Sequence, residues 1–173
     1  AVVKRGVNDH TFIYLARRFH GTPHILRFIE YMDVGNRNDW KLDHVVPAEE
    51  IISRINDILP LDPIDPNYTG EVAKRYRYID GGGEIGVIAS VTQPFCGNCT
   101  RLRLSTDGKL FTCLFGSSGT DMREEIRSGA SDQDLRERIE SVWTKRADRY
   151  SEERTGQTSS NSIEKVEMYQ IGG

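Results

Sequence analysis

Three cysteines in the middle of the sequence have residue types and a spacing that suit a metal site. Cys96 and Cys99 form a Cys-x-x-Cys pair, and Cys113 follows after a predicted hairpin. Thiolates bind zinc and iron–sulfur clusters, and a Cys-x-x-Cys pair can place two sulfurs on one metal centre. There is no fourth cysteine, and the four histidines all lie upstream of residue 60 (His10, His20, His24, His44). Three thiolates therefore predict a coordination position left open for water or substrate.

Other chemistries fit the same cysteines. The spacing does not distinguish zinc from an iron–sulfur cluster. Cys96 and Cys99 could instead be a redox pair, with Cys113 a small buried hydrophobe. A chain with an odd number of cysteines and no secretory signal favours metal or redox chemistry over a disulfide scaffold.

Two arginines follow the cysteine pair directly. In a strand, Arg101 and Arg103 share one face and Leu102 and Leu104 the other, so we expect the leucines to be buried. Paired guanidinium groups suit phosphate oxygens, and an anion between them would relieve their mutual repulsion. The alternative is a pair of solvated strand arginines.

A third arginine lies in a strand predicted at 23–32 and expected to be buried on both faces. Arg27 stands between Ile25 and Ile29, and a buried guanidinium needs a carboxylate, a phosphate or a wet cavity. Glu30 faces the opposite side of this strand. A phosphate and a carboxylate elsewhere in the chain both remain open as its partner.

The elements predicted to position these residues begin with a βαβ unit and a second helix. The unit consists of a strand at 1–4, a helix capped by Asn8 or Asp9 and ended by Gly21, and the strand at 23–32. This order predicts that the two strands are parallel. A helix with Pro47 as its first residue runs to Leu59. The Asp- and Pro-rich segment that follows is typical of a linker.

The rest of the sequence predicts a smaller α+β region. Strands at 76–79 and 85–91 flank Gly81 to Gly83, which lack the spacing of a phosphate loop and indicate a hairpin turn. Asp107 and Gly108 turn a second hairpin between 101–104 and 109–112. Helices are expected at 120–128, ended by Gly129, and at 132–149, where Ser131 and Asp134 have capping-box spacing. The expected buried stripe of the last helix is Leu135, Ile139, Val142 and Trp143.

Composition describes an ordinary folded protein. The 173 residues are 37% hydrophobic and 28% charged, and no apolar run approaches the roughly 20 residues that span a bilayer. A formal net charge of −3 gives no reason to expect a nucleic-acid partner. We expect a cytoplasmic location, and the apolar start at Ala1 suggests a piece of a longer protein.

Several motifs together resemble one known family. They are LRFIEYM at 26–32, FCGNCTRLRL at 95–104, DGKL at 107–110, CLFG at 113–116 and IGG at 171–173. In this order they are similar to the molybdenum cofactor biosynthesis protein A family of radical S-adenosylmethionine enzymes. The resemblance runs nearly end to end and is strongest from Phe95 to Gly116.

The resemblance implies an α/β fold: the last strands and helices of an incomplete TIM-like barrel, followed by a cluster-binding α+β extension. It would divide the chain into a barrel part at 1–60, a linker at 61–75 and a cluster- and GTP-binding region at 76–173. Cys96, Cys99 and Cys113 would bind a [4Fe–4S] cluster that contacts the guanine of GTP. The residues implied to contact GTP are Arg27, Thr100, Arg101 and Arg103. Met32 would line the S-adenosylmethionine pocket. Gly172 and Gly173 would form a tail that reaches the active site.

The reaction implied is the conversion of GTP to (8S)-3',8-cyclo-7,8-dihydroguanosine 5'-triphosphate by a lyase that uses S-adenosylmethionine. The family's radical-generating cluster needs a Cys-x-x-x-Cys-x-x-Cys motif, which this sequence lacks. We therefore expect the chain alone to be inactive, and to form a homodimer or self-associate through an exposed barrel edge. The alternative function is a zinc-knuckle binding module.

Overall fold

The computed structural model describes residues 1–37, 39–154 and 165–171. These residues form two compact units. The first unit consists of Ala1–Met32 with Trp40–Cys99, and the second of Asp33–Asp39 with Thr100–Gly173. The short stretch after Met32 thus belongs to the second unit although it lies within the sequence of the first.

The first unit is built on a five-stranded sheet in the order β1-β2-β5-β4-β3. Strands β1 and β2 are parallel, as are β2 and β5, whereas β5–β4 and β4–β3 are antiparallel. The parallel β1–β2 pair confirms the predicted βαβ unit. The strand bounds are β1 Val2–Val3, β2 Leu26–Glu30, β3 Leu61–Ile64, β4 Lys74–Tyr78 and β5 Glu84–Ile88.

Two helices, α1 (Phe12–Phe19) and α2 (Ala48–Asn56), pack with this sheet around one core. Pro47 is the N-cap of α2 rather than its first residue, and the helix ends at Asn56 rather than at Leu59. A proline is tolerated at this end because the start of a helix needs no amide hydrogen there. The fully buried side chains of this core include Phe12, Phe28, Ile51, Ile55 and Ile85.

The predicted cap of α1 is wrong. Its N-cap is Thr11 rather than Asn8 or Asp9. The Asn8 Oδ1 accepts from the Lys4 amide at 2.8 Å, and the Asp9 Oδ1 accepts from the Gly6 amide at 3.0 Å. Both side chains therefore close the turn that leads into the helix, because short polar side chains readily bond to nearby backbone amides.

Strand β2 is buried on one face only, which corrects the prediction of two buried faces. Phe28 and Glu30 are fully buried, whereas Leu26 and Ile29 are partly exposed and Arg27 is exposed. A β-carbon built on Gly86 of β5 would lie 3.3 Å from the Arg27 Cγ. The glycine thus leaves room for the arginine side chain to run across the sheet.

The segment predicted as a linker at 61–75 contains a strand. Residues of β3 pair with β4, and Pro63 lies opposite Tyr76. Proline has no amide hydrogen to donate to a neighbouring strand. It is tolerated in β3 because β3 is the last strand of the sheet. The two compact units divide after Met32, Asp39 and Cys99 rather than in this segment.

Among its described residues, the second unit contains a three-stranded antiparallel sheet and three α-helices. Its strands are β6 (Arg103–Leu104), β7 (Lys109–Phe111) and β8 (Thr120–Asp121), in that order. The β6–β7 hairpin is confirmed, with Gly108 at φ +78°, a conformation that glycine adopts without strain. The helices are α3 Arg123–Arg127, α4 Asp132–Thr144 and α5 Tyr150–Glu153.

Three predictions for the second unit need correction. Thr120 and Asp121 pair with β7, so α3 begins only at Arg123. Helix α4 ends at Thr144 and has no fully buried residue, and Ile139 of its predicted stripe is 37% exposed. Leu104 is 62% exposed rather than anchored in a core. Strand β6 has only two residues at the side of a small sheet, which offers little surface to cover that leucine.

The architecture is a mixed α/β one, and no closed barrel is formed by the described strands. None of the described helices is long and apolar enough to span a bilayer.

Candidate functional site

Cys96 and Cys99 lie at the two ends of one tight turn. Residues Cys96–Asn98 form a 3₁₀ turn, and the Cys99 amide donates to the Cys96 carbonyl oxygen at 3.2 Å. Neither cysteine forms a disulfide, and both are partly exposed. The turn gives these two soft ligands the short separation that a Cys-x-x-Cys metal pair requires.

Cys113 follows β7 in the second unit; it also forms no disulfide and is partly exposed. Its Sγ accepts from the Phe115 amide at 3.5 Å, and its carbonyl oxygen accepts from the Gly116 amide at 3.2 Å. Residues 113–116 therefore form a compact turn, the Cys113 loop, around the sulfur.

The chemistry of the three thiols fits an iron–sulfur cluster or zinc, because none is used in a disulfide. Within residues 1–37, 39–154 and 165–171, no three His, Cys, Asp or Glu side chains gather as a metal site. Cys96 and Cys99 belong to the first unit and Cys113 to the second. Convergence of the three sulfurs on one metal stays a prediction.

The predicted phosphate-binding residues begin the second unit. Thr100 is exposed, whereas Arg101 and Arg103 are partly buried, with Arg103 opening β6 opposite Phe111. The Arg101 Nε atom is buried, so this guanidinium is not a freely solvated surface group. Their contact with a nucleotide stays a prediction.

The remaining predicted residues lie on or after β2, or at the end of the chain. Arg27 forms an ion pair with Glu71 at 3.3 Å, and the Glu71 side chain is only 2% exposed. The structure thus gives Arg27 a carboxylate partner, while nearly half of its own side chain remains exposed. Met32 is partly exposed. Gly172 and Gly173 lie outside the described residues.

Sequence reasoning missed the role of Glu30, whose side chain is fully buried. Its Oε1 accepts from the Ala48 amide at 2.7 Å and from the Thr92 hydroxyl at 2.5 Å. Its Oε2 accepts from the amides of Val91 and Thr92, both at 2.8 Å. Four donors replace the water that the carboxylate loses on burial. Glu30 thereby fixes the segment just before the Cys96 turn, and its position two residues after Phe28 on the inner face was the available signal.

Sequence reasoning also missed a buried network around Asp33 in the second unit. The Asp33 carboxylate accepts from Lys165 Nζ at 2.8 Å and from the Tyr150 hydroxyl, and it pairs with Arg154 at 2.9 Å. The side chains of Asp33, Arg154 and Lys165 are 5%, 3% and 11% exposed. We call these four residues the Asp33 network. No local pattern links positions so far apart in sequence.

The electrostatics of this network favour an ionised Asp33. Burial acts to raise the pKa of Asp33, but hydrogen bonds from Lys165 and Tyr150 and the charge of Arg154 hold it below its ordinary value. Burial, followed by the hydrogen bond to Asp33 and its charge, raises the pKa of Tyr150 well above its usual range. A negative charge on Cys113 acts on the pKa of Tyr150 in the same direction.

A mixed α/β chain with a Cys-x-x-Cys turn followed by paired arginines has a match among known families. Residues 24–152 match the family model described as Molybdenum Cofactor Synthesis C. This range covers well over half of the sequence, and the chain belongs to this family.

Several similar proteins are named GTP 3',8-cyclase. The one from Acidothermus cellulolyticus is 50% identical over 196 residues, which covers 100% of this chain and 54% of that relative. The one from Xanthomonas campestris pv. campestris (strain B100) is 47% identical over 99% of this chain and 50% of its own length. The one from Staphylococcus aureus (strain MRSA252) is 45% identical over 99% and 51%. The chain spans about half the length of the curated relatives it matches.

Proposed function

We propose that this chain is the cluster- and GTP-binding portion of a GTP 3',8-cyclase. The observation that carries the proposal is the Cys96–Arg103 segment, in which a Cys-x-x-Cys turn leads directly into two partly buried arginines. This segment lies inside the family-matched range. Relatives of this name at 45–50% identity over nearly the whole chain support the same function.

In this proposal Cys96, Cys99 and Cys113 hold a [4Fe–4S] cluster. The three thiolates would coordinate three of the four irons, and the remaining iron would be open to the guanine of GTP. Arg101 and Arg103 bind the triphosphate because guanidinium groups pair with phosphate oxygens in two-pronged fashion. Thr100 lies between the cysteine pair and the arginines in the sequence and adds a hydroxyl donor.

Arg27 is proposed to reach the nucleotide from the exposed face of β2. Its pairing with Glu71 orients the guanidinium and still leaves nearly half of the side chain accessible. Met32 is proposed to line the S-adenosylmethionine pocket, and Gly172 and Gly173 to reach the active site as a tail. A second cluster with S-adenosylmethionine, bound by other parts of the whole protein, supplies the radical chemistry. The role of this chain is to orient GTP, which is a proximity contribution to the rate.

The test is anaerobic iron and sulfide reconstitution followed by a GTP titration. We expect about four irons per chain for a cluster of this type, with broad absorbance near roughly 400 nm. Arg101→Ala and Arg103→Ala should each weaken GTP binding by about 1–3 kcal/mol, because each removes charge-assisted hydrogen bonds. Arg127→Ala changes an exposed arginine of α3 in the same unit and serves as the matched control.

Two outcomes would contradict the proposal. Stoichiometric zinc without iron uptake would indicate the zinc-knuckle module instead, and salt-sensitive nucleic-acid binding would support that alternative further. Equal GTP affinity of the Arg101, Arg103 and Arg127 variants would remove the arginines from the nucleotide site.

A further inference from the structure

Two arginines stand on either side of a glycine in the sheet of the first unit. Arg27 of β2 and Arg75 of β4 are both register partners of Gly86 of β5, so the three residues form one row across three strands. Residues directly opposite each other on neighbouring strands lie on the same face of a sheet. This face is the one opposite the buried Phe28, because successive residues of a strand alternate between faces.

The two arginines of this row differ in how firmly they are held. The Arg75 Nη1 donates to the Asp65 carbonyl oxygen at 2.7 Å, its Nη2 pairs with the Glu84 carboxylate at 2.7 Å, and its side chain is 13% exposed. The Arg27 Nη2 makes a longer contact of 3.3 Å with the Glu71 carboxylate, and its side chain is 46% exposed. Arg27 is therefore the arginine of the row whose N–H donors are accessible to a ligand.

Glu71, the partner of Arg27, is itself held in place. Its side chain is only 2% exposed, and its Oε2 accepts from the Asn67 amide at 2.7 Å. The Glu71 amide donates to the Tyr68 carbonyl oxygen at 3.1 Å, which closes a turn at 67–71. A backbone amide is a donor that cannot change rotamer, so it restrains the carboxylate bonded to it. The Oε1 of Glu71 therefore offers Arg27 an acceptor at a fixed position.

The aliphatic part of the Arg27 side chain is confined as well. A β-carbon built on Gly86 would lie 3.3 Å from the Arg27 Cγ and 3.5 Å from the Ala73 Cβ. The side chain thus runs over the bare backbone of Gly86 and ends at the Glu71 carboxylate. With the stem confined and one Nη group held, the guanidinium has a defined orientation while nearly half of the side chain remains exposed.

We infer that Glu71 is a positioning residue for Arg27, and that Gly86 provides the path along which Arg27 reaches it. Both order the guanidinium before a ligand arrives. Immobilising a flexible side chain on binding lowers affinity, and a side chain that is already ordered avoids this loss. The ordering of Arg27 is a property of the chain alone, whereas its effect on GTP affinity rests on the proposed function.

A GTP titration of the reconstituted chain separates positioning from charge. Glu71→Gln keeps an acceptor for the Asn67 amide and removes a negative charge, so electrostatics alone would strengthen the binding of an anion. We expect GTP binding to weaken instead, by about three- to tenfold, because Arg27 must then be ordered on binding. Glu84→Gln is the matched control, since it removes the same charge from the partner of Arg75 and should not weaken binding. Unchanged or tighter binding in Glu71→Gln would overturn the inference.

A double-mutant cycle tests whether Glu71 acts through Arg27. In the Arg27→Ala background, Glu71→Gln should no longer weaken GTP binding, because the group that it positions is absent. A loss by the same factor in both backgrounds would contradict the positioning role and would indicate a general effect on the fold.

The order of Arg27 in the ligand-free chain tests the inference without GTP. The order parameter of the Arg27 Nε–H group, measured by NMR relaxation, should lie above about 0.6 in the unchanged chain and below that value in Glu71→Gln, since lower values mark flexible groups. Glu84→Gln should leave it unchanged. An Arg27 side chain that is equally ordered in Glu71→Gln would contradict the positioning role.

A second variant covers the case in which Glu71→Gln does not fold. Gly86→Ala keeps Glu71 and places a methyl group against the Arg27 stem, so the order parameter of Arg27 should fall and GTP binding should weaken by about threefold. No change in either quantity would count against the path over Gly86. If the unchanged chain binds no GTP, or if Arg27→Ala binds it as well as the unchanged chain does, the proposed role of Arg27 at the nucleotide fails. The order parameter still decides whether Glu71 positions Arg27.

Discussion

Two buried carboxylates, three positions apart in the sequence, are stabilised in different ways. Glu30 accepts hydrogen bonds from three backbone amides and one hydroxyl. Asp33 is instead paired with two cations and the Tyr150 hydroxyl. A carboxylate bonded to backbone amides stabilises the path of the chain, because those donors cannot change rotamer. Glu30 therefore acts on the loop before Cys96, and the Asp33 network joins residues of the second unit that lie far apart in the sequence.

Replacement of Glu30 tests the first of these roles. Glu30→Gln should lower the free energy of unfolding by about 2–4 kcal/mol, because the amide nitrogen of glutamine faces backbone donors and leaves them unsatisfied. Urea unfolding followed by circular dichroism measures the change. Glu49→Gln replaces an exposed neighbour of Ala48 and should change stability by less than about 0.5 kcal/mol. Similar losses in both variants would rule out the buried carboxylate as the cause.

At the scale of elements, two local signals correctly predicted where a helix begins or ends. Ser131 and Asp134 form the capping box expected from their spacing, with the Asp134 amide donating to the Ser131 hydroxyl at 3.2 Å. Gly129 ends α3 in the left-handed region at φ +86°. Both features depend on a few adjacent residues, so the sequence contains the information needed.

The capping box of α4 gives a prediction for this helix. Ser131→Ala should lower the free energy of unfolding by about 1 kcal/mol, because the backbone donor at the third helical position loses its acceptor. Thermal or urea unfolding measures the effect. Ser53→Ala, at an exposed position inside α2, is the control and should be neutral or slightly stabilising, since alanine favours helix interiors. A loss at Ser53 equal to that at Ser131 would contradict the capping role.

Burial and long-range partners were predicted less well, for physical reasons. The stripe of α4 and Leu104 were expected inside, but burial depends on what packs against an element rather than on its own periodicity. The cysteines and arginines of the candidate site could be found because their chemistry is visible in residue type and spacing. The partners of Glu30 and Asp33 could not be found, because they lie about 60 and 120 residues away along the chain and come together only in the fold.

At the scale of the whole molecule, the open sheet of the first unit predicts association between copies. Strand β1 ends this sheet on one side, and Val2 on it is 47% exposed. A terminal strand can pair with another strand, and on β1 a second copy would have to displace the Asn8 side chain, which bonds to the Val2 carbonyl oxygen and the Lys4 amide. Self-association of the chain stays a prediction, and β1 is the place where we expect it.

A single substitution tests this location. Val2→Lys should weaken self-association by about tenfold or more, because a charge on a terminal strand opposes pairing with another copy. Sedimentation equilibrium measures the association constant. Val7→Lys places the same charge at a position outside the sheet that is 61% exposed, and should leave the constant unchanged. Equal weakening in both variants would point to net charge rather than to β1.

The chain passes between its two compact units after Met32, Asp39 and Cys99. A gene cut at a single point cannot separate them cleanly. A polypeptide of residues 100–173 would contain Arg154 and Lys165 without the Asp33 carboxylate, with which both of them form an ion pair. Such a half should be recovered poorly when synthesised alone. Adding a peptide of residues 33–39 should restore the missing charge and improve its yield, as in fragment complementation.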